Sequence, residues 1–326
     1  MPVPSIPTDS NSFARSANAA PVRSSPREGE LDWSSLDRHG QSRRLSLRYR
    51  LEGPPTAPLR VVLGGISASR QVQCWWRQHH GRGQALDPAR DLILGMDWLD
   101  HPTGVSTADQ ADGLLRIVDH LELGIIDTLI GASYGAMVGL ALAQRHGHRL
   151  RHLIAISGAD RSCPSAMAIR RIQREILALG EELRQPERGV AWARALAMTS
   201  YRPPALFDQR FAHTDPSQVA REIDAYLGHQ GRRYSHDQSL ARYRCLSRSL
   251  DEHCIEPAMI RCRVDLVGVD SDALVPLAQL EALAEALGPR ARLHRLSSSY
   301  GHDAFLKENN ALKHLLSSLI ETGGGA

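Results

Sequence analysis

A chain of 326 residues, 42% hydrophobic and 23% charged, can bury one large domain with an insertion, or two modest domains. A formal charge of +3 is small for that length, so composition excludes a strongly basic binder of nucleic acid or of an acidic membrane surface. No apolar run approaches the roughly 18 residues that span a bilayer.

The opening stretch, Met1 to Glu30, is rich in serine, proline and asparagine with scattered arginine, and it lacks the apolar h-region of a signal peptide. Such a segment buries too little apolar surface to offset its ordering entropy, so residues 1–35 are expected as a disordered tail. Cys74, Cys163, Cys245, Cys254 and Cys262 are odd in number and form no C-x-x-C pair. Free thiols and a cytoplasmic location are the expectation.

Beyond the tail, short β-like runs at residues 60–63, 91–94, 128–130, 152–156, 264–267 and 292–296 alternate with helical patterns. That alternation is expected of an α/β protein with a mostly parallel central sheet flanked by helices. In open sheets of this kind, function sits at the C-terminal strand ends. Between Ser157 and Pro257 the strands stop and helical periodicity takes over, at 165–179, 190–198, 218–227 and 238–250. The expected organisation is a core of residues 36–160 and 256–326, with a helical lid at 161–255.

The strongest motif is Gly131-Ala132-Ser133-Tyr134-Gly135, a G-x-S-x-G between a strand-like run and the apolar segment that follows. In that context it reads as the tight turn of an α/β-hydrolase fold that exposes a nucleophile, Ser133, at the head of a helix. The acid and base follow in chain order. The strand at 264–267 runs into Asp270-Ser271-Asp272, where either aspartate qualifies as the acid. The strand at 292–296 runs into Tyr300-Gly301-His302-Asp303-Ala304-Phe305, where His302 stands at the position of the base. His79, His80, His146, His148 and His229 lack carboxylates at metal-ligand spacing and read as surface residues, so no metal is expected. The oxyanion donors would be the N–H of Tyr134 and, from the loop Leu63-Gly64-Gly65-Ile66, that of Ile66 or of a neighbouring glycine.

Four segments resemble the homoserine O-acyltransferases. They are Val61 to Ile66 with Cys74-Trp75-Trp76 and Gly83 to Asp87; Leu123-Gly124-Ile125 with the elbow through Met137; Ala193 to Ala197, Ser200-Tyr201-Arg202, Arg210-Phe211 and Tyr226 to Gly231; and Asp270-Ser271-Asp272 with Tyr300 to Leu306. The resemblance implies that Ser133 is acylated, that Asp272 rather than Asp270 orients His302, and that Tyr134 and Ile66 hold the oxyanion. It implies that Arg194 and Tyr201 line the acceptor pocket, with the arginine taking a carboxylate, and that Asp303 meets an ammonium. It further implies a homodimer built through the lid, with a coenzyme A thioester as co-substrate and no bound cofactor.

The chain departs from the family at Ala132 and Tyr134, at the shortened loop His101-Pro102-Thr103-Gly104, and by a shortening between Ile156 and Ala166. These changes are expected around the acyl pocket and the coenzyme tunnel. The expected reaction passes a succinyl group, in preference to acetyl, from acyl-CoA to L-homoserine in methionine biosynthesis. Arg70 and Arg77, near the oxyanion loop in sequence, are candidate partners for the succinyl carboxylate. Rival readings keep the triad: a serine O-acyltransferase feeding cysteine synthesis, or a carboxylesterase or thioesterase.

Overall fold

A computed structural model describes residues 25–323. Eight strands, β1 (Arg27–Leu36), β2 (Ser42–Glu52), β3 (Leu59–Leu63), β4 (Leu92–Met96), β5 (Ile126–Ala132), β6 (Leu150–Ile156), β7 (Arg263–Val269) and β8 (Ala291–Leu296), form one sheet in the order β1-β2-β4-β3-β5-β6-β7-β8. From β4 to β8 every pairing is parallel, while β1 and β2 add an antiparallel edge.

That edge corrects the expected tail. Residues 27–35, assigned to it, belong to β1, which pairs along its whole length with β2. The backbone ladder orders a segment that has little apolar surface of its own, because each paired residue satisfies its N–H and C=O on the partner strand. The rest of the expected tail, residues 1–24, lies outside the described residues. In β2, Leu45, Leu47, Tyr49 and Leu51 point inward between exposed neighbours, the period of two that a half-buried strand requires.

The central strands are apolar on both faces. Leu129, Leu153 and Leu266 pack on one side with Leu114, Ile117, Leu140 and Leu280, while Ile130, Ile154 and Val267 pack on the other with Leu312, Leu316 and Leu319. Helices α2 (Thr107–His120), α3 (Tyr134–His146) and α9 (Leu277–Leu287) cover the first face. The short α1 (Val72–Trp75) and the C-terminal α11 (Asn309–Gly323) cover the second, with a one-turn α10 (Ala304–Lys307) leading into α11.

Between β6 and β7 the chain forms α4 (Pro164–Glu182), α5 (Pro186–Ser200), α6 (Pro204–Arg210), α7 (Pro216–Asp237) and α8 (Leu240–Glu252). The neck of this segment is closed by a bridge between Arg161 and Cys254 and by the Ile255 N–H on the Asp160 carbonyl, 3.0 Å. Helices α4 and α5 meet backbone to backbone, since a Cβ on Gly180 would lie 2.7 Å from the Gly189 Cα. All five cysteines are free, and no described helix is long and apolar enough to cross a membrane.

Candidate active site

Strand β5 ends one residue before Ser133, whose backbone sits at φ 55°, ψ −116°, a conformation a non-glycine residue adopts only when its surroundings enforce it. The enforcement is steric. A Cβ at Gly131 would strike the Gly135 backbone, and one at Gly135 would strike the Leu63 carbonyl. Hydrogen bonds from Ser133 N–H to the Ile156 carbonyl and from Gly135 N–H to the Gly64 carbonyl, both 2.8 Å, tie the turn to β6 and to the loop after β3.

His302 Nε2 lies 2.7 Å from Ser133 Oγ, and its Nδ1 lies 2.8 Å from Asp272 Oδ2. The two candidate aspartates separate cleanly. Asp270 accepts from Ser297 Oγ and the Ser298 N–H and does not reach the histidine. Asp272 spends Oδ1 on the N–H groups of Leu274 and Val275, at 2.9 and 3.0 Å, and presents Oδ2 to His302. Burial alone would raise the Asp272 carboxyl, but the facing imidazole and the two N–H donors outweigh it and hold it below its usual range. Burial likewise opposes a charged His302, yet the Asp272 carboxylate, with Asp303 adding a smaller pull, leaves the imidazole above its ordinary value.

The loop carrying His302 is braced from the helical segment: its N–H donates to the Tyr201 carbonyl at 2.9 Å, and the rings of Tyr201 and His302 lie 5.9 Å apart. On the other side, Trp76 Nε1 donates to the Phe305 carbonyl at 2.8 Å, which is how the Cys74-Trp75-Trp76 stretch reaches the site.

Tyr134 opens α3, where its N–H has no carbonyl a turn earlier to accept it. The Gly65 carbonyl accepts from Trp98 Nε1 and the Ala68 N–H, both at 2.9 Å, so the Ile66 N–H of the same trans peptide points the opposite way. Gly65 stands beside Ser133, with a built Cβ 4.0 Å from Ser133 Cβ. The Tyr134 side chain behaves differently from expectation. It turns into the core, edge-on to Trp98 with its hydroxyl 2.7 Å from Ser249 Oγ on α8, and burial pushes its phenol well up. Neither it nor the loop at 101–104 lines the cleft above Ser133, whereas Ser157, Ser162 and Ala166 of the shortened stretch after Ile156 do.

That cleft is walled by Ser133, His302, Ile66 and Ser157 from the core, by Arg170, Arg194 and Ser247 from α4, α5 and α8, and by Tyr201 just past α5. Arg194 Nη1 donates to the Tyr201 hydroxyl at 3.2 Å, and its guanidinium lies over the Tyr201 and Tyr234 rings at 5.1 and 4.6 Å. No carboxylate among the described residues pairs with it. Asp303 also lines the cleft, with Oδ2 accepting from Arg202 Nε at 2.9 Å, an ion pair the sequence reading lacked.

Arg70 and Arg77 do not reach the site. Arg70 is bound to Glu28 and Asp97, and Arg77 is exposed; the cleft's own unforeseen cation is Arg170. Its signal was present in the sequence as Arg170 and Arg174, one helical turn apart on a face with Gln173. Among the histidines expected at the surface, His79 is fully buried edge-on to Trp76, 5.1 Å between centroids, and burial with Lys313 nearby pushes it down to about 4. No cluster of three or more metal-ligating side chains occurs among the described residues.

Strand order, elbow and relay define an α/β-hydrolase fold, and a model of the alpha/beta hydrolase fold family matches residues 69–309. The homoserine O-succinyltransferase of Xanthomonas campestris pv. campestris is 40% identical over 314 residues, covering 91% of this chain and 84% of that protein. A serine O-succinyltransferase from strain B100 of the same organism is 30% identical, covering 71% and 77%. The solved homoserine O-acetyltransferase of Bacillus anthracis superposes with a TM-score of 0.82 over 90% of this chain and 97% of that one, at 11% identity, a likeness of fold. The chain belongs to the homoserine O-acyltransferases.

Proposed function

We propose that this enzyme moves a succinyl group from succinyl-CoA, through Ser133, to the side-chain hydroxyl of L-homoserine, a step of methionine biosynthesis. What carries the reading is that the Ser133–His302–Asp272 relay opens into the same cleft as Arg194, a cation without a carboxylate partner among the described residues. An ordinary esterase has no use for such a group, whereas an amino-acid acceptor brings a carboxylate to meet it.

In this scheme neutral His302, whose Nδ1–H donates a hydrogen bond to the Asp272 carboxylate, takes the Ser133 proton on Nε2 as Oγ attacks the thioester carbonyl. The N–H groups of Tyr134 and Ile66 hold the oxyanion. The carbon–sulfur bond breaks, His302 returns the proton to the thiolate, and coenzyme A leaves. The same imidazole then deprotonates the homoserine hydroxyl, which attacks the acyl-serine; Ser133 Oγ departs with the proton. Arg194, aligned by Tyr201, takes the acceptor's carboxylate, and Asp303 with its Arg202 partner faces the ammonium.

Segment 161–255 acts as the lid that keeps water from the acyl-serine between the two halves. Homoserine and serine differ by one methylene, worth about 1–3 kcal/mol in a fitted pocket. Homoserine is favoured here because the relative with the wider coverage carries that acceptor in its name.

Replacing Arg194 with leucine should raise the homoserine KM about 100-fold, as expected for loss of a charge-assisted hydrogen bond. A larger share of acyl-enzyme should then be lost to water. Steady-state kinetics with varied homoserine, alongside free acid measured separately, reads both; an unchanged KM removes Arg194 from the acceptor site.

The homodimer belongs to the same proposal. The outer face of the lid exposes Ile172, Leu179, Leu183 and Trp192, each more than half exposed, around an apolar groove with Leu196 and Leu227. Contiguous apolar surface of this kind marks an interaction site. Light scattering should find the wild-type chain at twice the monomer mass and the Trp192→Glu chain at the monomer mass. A monomeric wild type contradicts the assignment.

A further inference from the structure

We propose that Arg170 is the residue that reads the far carboxylate of the succinyl donor. Its side chain lies in the cleft wall, 13% exposed, with Nε donating to Asp251 Oδ1 at 2.5 Å, while Nη2 is sealed from solvent and has no hydrogen-bond partner. Asp251 is shared: its Oδ2, sealed from solvent and without a hydrogen bond, lies at ion-pair distance, 2.7 Å, from Arg174 Nη1, which donates to Ser247 Oγ at 2.9 Å. Two guanidiniums thus face one carboxylate, leaving one positive charge in surplus in a largely buried wall. A buried donor without an acceptor is costly and is rare in folded proteins unless something else supplies the partner. A planar guanidinium already fixed at one edge is suited to a second carboxylate on its free edge.

The charge balance of the cleft points the same way. Arg194 and Arg202 stand against Asp303 alone, a second surplus charge near Tyr201. Two surplus cations match two incoming carboxylates, that of the amino-acid acceptor and that of a dicarboxylic acyl group; an acetyl donor would leave one of them unmet. Arg170 lines the same cleft as Ser133 and His302, so it stands on the side where the acyl group must sit. Ser157, held at φ 48° after β6, adds a buried hydroxyl without a partner to the same cleft.

The inference rests on the succinyl-transfer reading, and the test separates the two. Acylation of the enzyme is followed without homoserine, by coenzyme A release in a rapid-mixing experiment and by the mass of the acylated chain, with succinyl-CoA and butyryl-CoA, which carries no carboxylate. The ratio of the two rates does not depend on how much of a variant is folded. Wild type should favour succinyl-CoA, Arg170→Met should lower that ratio roughly 100-fold, and Arg170→Lys should restore part of it. A ratio unchanged in Arg170→Met, or a variant whose defect appears only as a raised homoserine KM, overturns the assignment while leaving succinyl transfer in place. A wild type without preference for succinyl-CoA overturns the donor reading and this inference together.

Discussion

Replacing Ser133 with alanine is expected to reduce coenzyme A release by roughly 10⁴-fold or more, the scale on which a triad nucleophile acts when the remaining groups still bind and polarise the substrate. The expectation rests on local geometry. The backbone strain at Ser133 is sustained by Gly131, Gly135 and two backbone hydrogen bonds, none of which involves Oγ. The alanine variant therefore keeps the turn, the helix and the oxyanion donors and loses only the attacking atom. Intact-mass measurement after mixing with acyl-CoA alone should show one acyl group on the wild type and none on the variant. A variant that still acylates at a rate within roughly tenfold of wild type removes Ser133 from the chemistry.

The second large effect is expected at Asp272, whose replacement by asparagine should cost on the order of 10⁴ in turnover. The N–H groups of Leu274 and Val275 select which end of an asparagine faces them: they need an acceptor, so the amide oxygen stays with them. The amide NH₂ then meets His302 Nδ1, which must become an acceptor, and the imidazole proton moves to Nε2, facing Ser133. In that tautomer the histidine has no lone pair for the serine proton.

The pH profile follows with a definite sign. In the wild type Asp272 more than offsets burial and raises His302, and the base must be neutral to act. The acid limb of kcat/KM therefore falls at a pH above the ordinary histidine value of about 6.5. In the Asp272→Asn enzyme burial dominates and the residual limb moves below it. Asp270→Asn, which touches Ser297 and Ser298 rather than the imidazole, should keep both rate and limb near wild type. Equal losses at the two aspartates would contradict the assignment.

Much of this site is legible along the chain because its geometry is local. Gly-x-Ser-x-Gly between strand and helix is a backbone requirement written in five residues, and His302 is marked by its place after the last strand. Choosing between Asp270 and Asp272 is a matter of two loop turns, which bulk pattern does not encode; there the family resemblance, not the spacing, selected Asp272. The pairing of Arg202 with Asp303 spans about one hundred residues of sequence, and nothing local announces it.

The edge hairpin has two sides. The alternation Leu45, Leu47, Tyr49, Leu51 is readable as a strand despite its arginines. Strand β1, mostly exposed, owes its order to pairing, so composition suggested a tail. Tyr134 shows how a departure beside Ser133 misleads: the residue opens α3 at the site but sends its side chain into the core.

The most direct test of the account is a coenzyme A release assay on the purified full-length chain, crossing succinyl-CoA and acetyl-CoA against homoserine, serine and water. Release is expected to depend on homoserine, to be fastest with succinyl-CoA and to vanish in Ser133→Ala. Release equally fast with no amino acid present would contradict it, leaving a hydrolase built on the same relay.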